Sequence, residues 1–168
     1  AEANSCLQPG GPPNPVAEAD AGDLRNPADP YGWHELSDAD GPGFRRARRI
    51  DVSRDSESGL IRVASSFQDS ASTKDGGRVA IHEYNLDAVI DPASLEIRAI
   101  TATPHILPFS ECPGVIGSAQ RMVGKRITDI RTEVLAQLRG TAGCTHLNDA
   151  LRALAEVPLL ADRLVEPA

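Results

Sequence analysis

The side chains best suited to chemistry in this chain lie in and around the pentapeptide Gly143-Cys144-Thr145-His146-Leu147. Thiols and imidazoles serve as nucleophiles, proton carriers and ligands of zinc or iron. Outside the pentapeptide, Cys112 precedes a helical pattern and His82 lies inside a strand pattern. We therefore expect one site that combines His82, Cys112, Cys144 and His146.

The positions of Cys112 and Cys144 favour the ionised thiolate. Each cysteine falls at or just before the predicted start of a helix. There the unpaired backbone N–H groups and the positive end of the helix dipole stabilise a negative charge. Both thiols are thus placed to bind a metal or to react.

A ligand set of two cysteines with one or two histidines matches zinc or iron, whereas the acidic residues are not clustered as calcium or magnesium would require. The spacing is no standard zinc motif, because neither His34 nor His82 begins a His-Glu-x-x-His sequence. We predict that one zinc or iron ion is bound by His82, Cys112, Cys144 and His146.

The same residues allow other interpretations. A buried cysteine also behaves as a small hydrophobe, and a single histidine is often a hydrogen-bonded core residue. Cys112 and Cys144 could form a disulfide, although a reducing compartment disfavours it. In metal-free catalysis, Cys144 would be the nucleophile, with His82 or His146 as the base.

Strands come first and helices after. Alternating apolar residues predict strands at about residues 44–52, 60–67, 79–91 and 95–101, and His82 shares the apolar face of the third. Helical spacing follows at residues 113–123, 128–138 and 145–155, with Thr128 as a cap and Pro158 as a stop. We predict an α+β fold, an antiparallel sheet of about four strands followed by about three helices packed on one face.

The first predicted strand carries four arginines, Arg45, Arg46, Arg48 and Arg49. Such a cluster could hold the phosphate or carboxylate of a ligand. It is also typical of a solvated edge strand or of arginines paired with nearby acids.

Residues 1–43 hold seven of the thirteen prolines and six of the fourteen glycines. This composition predicts an extended arm, docked on its own domain or on a neighbour through Tyr31, Trp33 and Leu36. Residues 44–168 are expected to form a single domain.

With 17 basic and 24 acidic residues, the chain has a formal net charge of −7, which disfavours nucleic acid as a partner. Three cysteines, an odd number, suit a reducing cytoplasm, and no apolar run approaches the ~20 residues of a membrane span. The first residues show no signal-peptide pattern and no Met, so the chain is expected to be processed, trimmed or engineered. We expect a cytoplasmic protein with no membrane association.

From about Arg45 to Pro158 the chain resembles a bacterial family of domains of unknown function, numbered two-eight-eight-nine. The matching segments are Arg45-Arg46-Ala47-Arg48-Arg49, Ile81-His82-Glu83, Pro108-Phe109-Ser110-Glu111-Cys112, Met122-Val123-Gly124 and, most distinctive, Gly143-Cys144-Thr145-His146-Leu147. The resemblance implies that His82, Cys112, Cys144 and His146 belong to one shared site. It brings no activity with it.

The strand-then-helix order, with cysteines at loop-to-helix junctions, is also similar to iron–sulfur scaffold proteins. This fainter resemblance implies a metal where the sheet meets the helices. The chain lacks the third core cysteine and the glycine-rich cysteine loop of those scaffolds.

A zinc or iron ion with an open coordination position would polarise a carbonyl or activate a water. That expectation makes the protein a small-molecule hydrolase or lyase, with Cys144 and His146 as its catalytic residues. The alternative is a non-catalytic accessory subunit whose N-terminal arm wraps a protein partner or a second copy of the chain.

Overall fold

A computed structural model describes residues 19–20, 41–109 and 112–164. The strands are β1 (Ala19–Asp20), β2 (Phe44–Arg54), β3 (Ile61–Ser72), β4 (Arg78–Ile90) and β5 (Ile97–Ile106). The α-helices are α1 (Ile130–Gln137), α2 (Thr145–Ala153) and α3 (Val157–Ala161). Short 3₁₀ helices lie at Cys112–Met122, Ile127–Asp129, Gly140–Ala142 and Leu154–Glu156. The predicted α+β order, four long strands and then three helices, is confirmed.

All strand pairs in the sheet are antiparallel. β4 pairs with β3 on one side, and on the other side with β5 over most of its length and with β1 near its start. β2 pairs with β3 alone among the described strands, so it lies at the edge of the sheet. β4 and β5, which follow each other in the chain, form an antiparallel hairpin.

One face of the sheet forms the core because apolar side chains alternate along the strands. In β4 every second residue from Ala80 to Ile90 is buried, and His82 is among them, as the alternation predicted. The helices supply the other wall. The largest fully buried side chains are Tyr84, Phe67, Leu86, Ile90, Ile97, Ile100, Met122, Ile127, Ile130, Leu147, Leu151 and Leu154.

Two predictions about helix ends were wrong. Thr128 does not cap α1, since its hydroxyl makes no capping bond there and a 3₁₀ turn leads directly into that helix. Pro158 is the second residue of α3 instead of the end of the preceding helix, which gives way to the turn Leu154–Glu156. A proline is tolerated in the first turn because the N–H groups there have no partner within the helix.

The segment predicted as the first helix is the 3₁₀ helix Cys112–Met122. Gly114 and Gly117 lie within it, and glycine is a poor α-helix former because it loses the most backbone entropy on ordering. Ala119 and Met122 are nevertheless buried, so the segment packs as an amphipathic cover.

The predicted N-terminal arm falls almost entirely outside the described residues, and its proposed anchors Tyr31, Trp33 and Leu36 lie there too. The described pair Ala19–Asp20 is β1, in register with Ala80 and Val79 of β4.

Candidate metal centre

Three neighbouring strands place one polar side chain each at the same level of the sheet. Arg46 of β2 is in register with Asp69 of β3, and Asp69 is in register with His82 of β4. A β-bulge follows directly, because Ser70 pairs with Ala80 and leaves Ile81 over. Bulges redirect side chains next to functional sites, so this irregularity marks the level of interest.

The helical layer adds His146, from the first turn of α2. Its ring stacks on that of His82, with ring centroids 3.4 Å apart and an angle of 21° between the planes. Its Nε2 lies 3.5 Å from Oδ2 of Asp69. One ligand atom from each of Asp69, His82 and His146 lies within 4.8 Å of the others. These three residues form the candidate metal centre.

His82 is the least satisfied member of this centre. Its side chain is buried, with 5% relative exposure, and neither ring nitrogen has a hydrogen-bond partner among the described residues. Burial first, and then the neighbouring His146, lower its pKa from 6.5 to about 3 against the opposing effect of Asp69. The ring is therefore neutral at physiological pH and has a lone pair free for a ligand, as metal binding requires.

Asp69 is completely buried and held by Arg46. Nε and Nη2 of Arg46 each donate a hydrogen bond of 2.8 Å to one of the two carboxylate oxygens. Such a bidentate pair fixes the plane of the carboxylate. Each oxygen keeps a second lone pair, so Arg46 orients the Asp69 carboxylate and leaves both oxygens able to bind a further partner.

Gly143 determines how closely the start of α2 approaches the end of α1. A Cβ at this position would lie 2.3 Å from the backbone oxygen of Leu138 and within 2.9 Å of the Asn148 side chain. Only glycine allows this close approach. The contact brings Cys144 to the N-cap of α2, with extended backbone angles, and His146 into the first helical turn.

Cys144 is buried between the two layers. Its Sγ lies 3.8 Å from Nδ1 of His146 and accepts a weak hydrogen bond from the Tyr84 hydroxyl at 3.9 Å. Burial raises its pKa, but hydrogen bonds from His146 and from the backbone N–H groups of Leu147 and His146 bring it down to about 7. The predicted position at a helix start is thus present, together with its effect on the thiol.

Of the four residues predicted as ligands, the structure brings three together. His82 and His146 belong to the candidate centre, and Cys144 borders it through His146. Cys112 lies at the start of the 3₁₀ helix Cys112–Met122, fully buried in the hydrophobic core that also contains Cys144, and outside the group around Asp69. The predicted four-residue ligand set stays a prediction.

Asp69 is the site residue that sequence reasoning missed, and Arg46 was noted only as one of four arginines on the first predicted strand. The predicted second strand stopped at Phe67, whereas β3 continues to Ser72. Continuing the same alternation by one step would have placed Asp69 on the core face after Val63, Ser65 and Phe67. An aspartate on a core face is unusual enough to mark a site.

No α-helix or 3₁₀ helix in the described part of the chain is long and apolar enough to cross a bilayer.

Comparison with known proteins identifies one similarity. Residues 44–159, more than half of the chain, match the model of a family described as "Protein of unknown function (DUF2889)". No curated protein and no solved structure shows a significant match.

Proposed function

Because the chain belongs to the DUF2889 family of proteins of unknown function, its role has to be inferred from its own residues, and we propose that it is a metal-binding protein. In this proposal a zinc or iron ion is held by Asp69, His82 and His146, next to the thiol of Cys144. The proposal depends mainly on His82, whose ring is buried and whose two nitrogens have no hydrogen-bond partner among the described residues.

A buried polar group without a hydrogen bond is rare because it loses its hydration and gains nothing in return, at a cost of about 1–3 kcal/mol. His82 has two such nitrogens. If His82 were simply a structural histidine held by hydrogen bonds in the core, at least one of the two ring nitrogens would have a partner. A metal ion would satisfy one of the two nitrogens and explain why the ring lies beside Asp69 and His146.

The donor types fit the ions named. Two imidazoles and a carboxylate form the ligand set of many zinc hydrolase sites and of non-haem iron(II) sites. Cys144 is the candidate fourth ligand, since thiolates bind both metals. Arg46 supports the set from outside, because its two hydrogen bonds hold Asp69 in place. Participation of Cys112 is the weakest part of the proposed ligand set.

A bound ion with an open position would supply Lewis acidity to a carbonyl or a water, the chemistry of a hydrolase or lyase. The protein residues prepare that site. Cys144 contacts the ring of His146 at Nδ1, which leaves Nε2, on the side of Asp69, for the ion. Tyr84 and the apolar core around Cys144 exclude water from the back of the site.

The direct test is the metal content of protein purified without chelator, measured by inductively coupled plasma mass spectrometry. The wild type should hold close to one zinc or iron ion per chain. His82→Ala should lower affinity for the added metal at least about tenfold, the range seen when support for a metal ligand is lost. His105→Ala is the matched control, because His105 lies exposed on β5 outside the candidate centre and its loss should change nothing.

Failure of the proposal would be equally plain. Wild-type protein without transition metal, and without uptake of added zinc or iron(II), would contradict it. So would a His82→Ala variant that keeps full occupancy while folded, as judged by circular dichroism.

A second candidate function is metal-free cysteine catalysis, and the order of Cys144, His146 and Asp69 favours it. Sγ faces one ring nitrogen at 3.8 Å and the carboxylate faces the other at 3.5 Å. Cysteine hydrolases use the same spatial order of nucleophile, base and orienting carboxylate. The two distances are longer than those expected when a substrate is bound. The N-cap position of Cys144 would supply backbone N–H groups for an oxyanion.

Alkylation of chelator-treated protein separates the two candidates. Cysteine catalysis requires that iodoacetamide modify Cys144 quickly and that His146→Ala slow the reaction. The metal proposal requires instead that bound zinc protect Cys144 from iodoacetamide. Peptide mass spectrometry identifies the modified thiol, with Cys112 as the internal reference.

Either candidate needs a reduced Cys144, so we place the protein in the reducing cytoplasm. The accessory-subunit alternative stays a prediction, because the arm that would wrap a partner lies outside the described residues.

A further inference from the structure

Two arginines of the edge strand border the candidate metal centre. Arg46 and Arg48 are two residues apart on β2, so their side chains lie on the same side of the strand. Both guanidinium groups lie over the ring of Phe67, at 5.0 and 6.0 Å from its centroid. The same ring is 6.2 Å from that of His146. The two cations and the metal centre therefore share one wall.

Acids partly neutralise these arginines, but the donors exceed the acceptors. Nη1 of Arg46 and Nη2 of Arg48 both donate to a single oxygen, Oδ2 of Asp149, at 3.2 and 2.6 Å. Nε of Arg48 is buried and, in the part of the chain that the structure describes, has no hydrogen-bond partner. A buried, charged N–H without an acceptor is costly, which indicates that an acceptor normally lies there.

The charge around this donor depends on the metal. Without an ion, Asp69 and Asp149 balance Arg46 and Arg48. A divalent ion at Asp69, His82 and His146 would make the sum positive, even with Cys144 ionised. The loaded site would then attract an anion, and the unpaired Nε of Arg48 would give that anion a defined place.

We infer that the metal-loaded site takes a small carboxylate-bearing molecule, whose carboxylate binds Arg48 while the rest of the molecule extends toward the metal. This inference rests on the proposed metal function and names its substrate class. A carboxylate suits a guanidinium because two coplanar oxygens match two parallel N–H groups. Phosphate shares part of this chemistry, so it serves as the competing probe.

The experiment is isothermal titration calorimetry with succinate and, separately, inorganic phosphate. Each titration uses zinc-loaded and chelator-treated protein, and metal content is measured again afterwards to exclude extraction of the ion. The zinc-loaded wild type should bind succinate, and removal of zinc should weaken binding at least about tenfold, or 1.4 kcal/mol.

Arg48→Gln removes both the positive charge and the parallel N–H groups of the guanidinium. Arg48→Lys keeps the positive charge but not the parallel N–H groups. Both should weaken succinate binding at least about tenfold while the metal content stays that of the wild type. The control is Arg62→Gln, because Arg62 is an exposed strand arginine of β3 that pairs with Asp55 away from the metal centre. It should bind succinate as the wild type does.

Three results would overturn the inference. They are no succinate binding by the zinc-loaded wild type, unchanged binding by a folded Arg48→Gln variant, and binding of phosphate in preference to succinate. Failure of the metal proposal looks different. If the protein took up no metal but still bound succinate through Arg48, the proposed metal-binding function would be contradicted, whereas the proposed carboxylate site at Arg48 would stand.

Discussion

The two ends of the β3–β4 pair lie on the same buried face and carry opposite chemistry. At one end Ile61 pairs with Ile90, and at the other Asp69 pairs with His82. All four side chains are at most 5% exposed. Eight residues of strand, about 26 Å, separate the two levels. Both levels are part of the core, although the Ile61–Ile90 pair is apolar and the Asp69–His82 pair is ionisable.

The difference separates what the fold needs from what the function needs. Ile61 and Ile90 gain stability simply by leaving water. Asp69 and His82 lose hydration when buried, and among the described residues Arg46 and His146 offset part of that loss. A fold selected for stability alone would continue the apolar pattern to the end of the strands. The polar end is therefore where we propose that function has taken precedence over core packing.

The largest effect should come from Asp69→Asn at the polar end. It leaves Asp149, at 3.2 Å, as the remaining ionic partner of the Arg46 guanidinium and should lower the free energy of unfolding by about 2–3 kcal/mol, below the range for fully buried pairs because Arg46 is half exposed. Ile61→Val, the matched change at the apolar end, should cost about 0.5–1.5 kcal/mol. Urea denaturation of chelator-treated protein at pH 7 measures both. A smaller loss for Asp69→Asn than for Ile61→Val would reverse the comparison.

Gly143→Ala tests how closely α2 must approach the polar end. The new Cβ would collide with the Leu138 carbonyl, so we expect a loss of about 1–2 kcal/mol and a displacement of His146. Gly117→Ala has no atom within 4 Å of the new Cβ and should change stability by less than about 0.5 kcal/mol. Thermal unfolding of the two variants gives the contrast, and equal midpoints would show that α2 is not held by this contact.

Acid should weaken the polar end through His82. Its pKa is about 3 in the folded protein and 6.5 as the ordinary value, so between these pH values the unfolded chain binds the proton and the folded one does not. Stability of the metal-free protein should therefore fall as pH drops below 6.5, by about 1 kcal/mol per pH unit. In His82→Gln this slope should flatten. Denaturation series at several pH values would contradict the burial argument if the two slopes were the same.

The smallest effect is expected on the surface of the helical layer. Arg131 and Glu156 form an ion pair of 2.7 Å with both side chains more than half exposed. Because water screens such pairs, Arg131→Ala should change the free energy of unfolding by about 0.5 kcal/mol or less. A loss as large as that of Asp69→Asn would mean that surface ion pairs, and not the interior, hold the helices over both ends.

The apolar end was fully predictable from sequence, and the polar end only in part. Alternation over many residues determined the face of His82 because a strand has a period of two. The same rule missed Asp69, since the predicted strand stopped at Phe67 and the alternation was not followed to Ser72. The partners of Asp69 come from positions 46 and 146, and no local pattern predicts contacts over such separations.

The cysteines show the same limit. A helix start at Cys144 follows from the local sequence, and the structure has it. The expected meeting of Cys112 with the histidines depended on how the 3₁₀ helix Cys112–Met122 packs over the sheet. That packing depends on the whole core, which the spacing of two cysteines does not encode.

X-ray absorption spectroscopy of the zinc- or iron-loaded protein, recorded at the edge of the bound metal, tests the central claim most directly. We expect the multiple-scattering signal of two imidazoles, together with further oxygen or nitrogen ligands and at most one sulfur. In His82→Ala the imidazole signal should be reduced. A shell made of water alone, or one dominated by sulfur, would contradict a centre built on Asp69, His82 and His146.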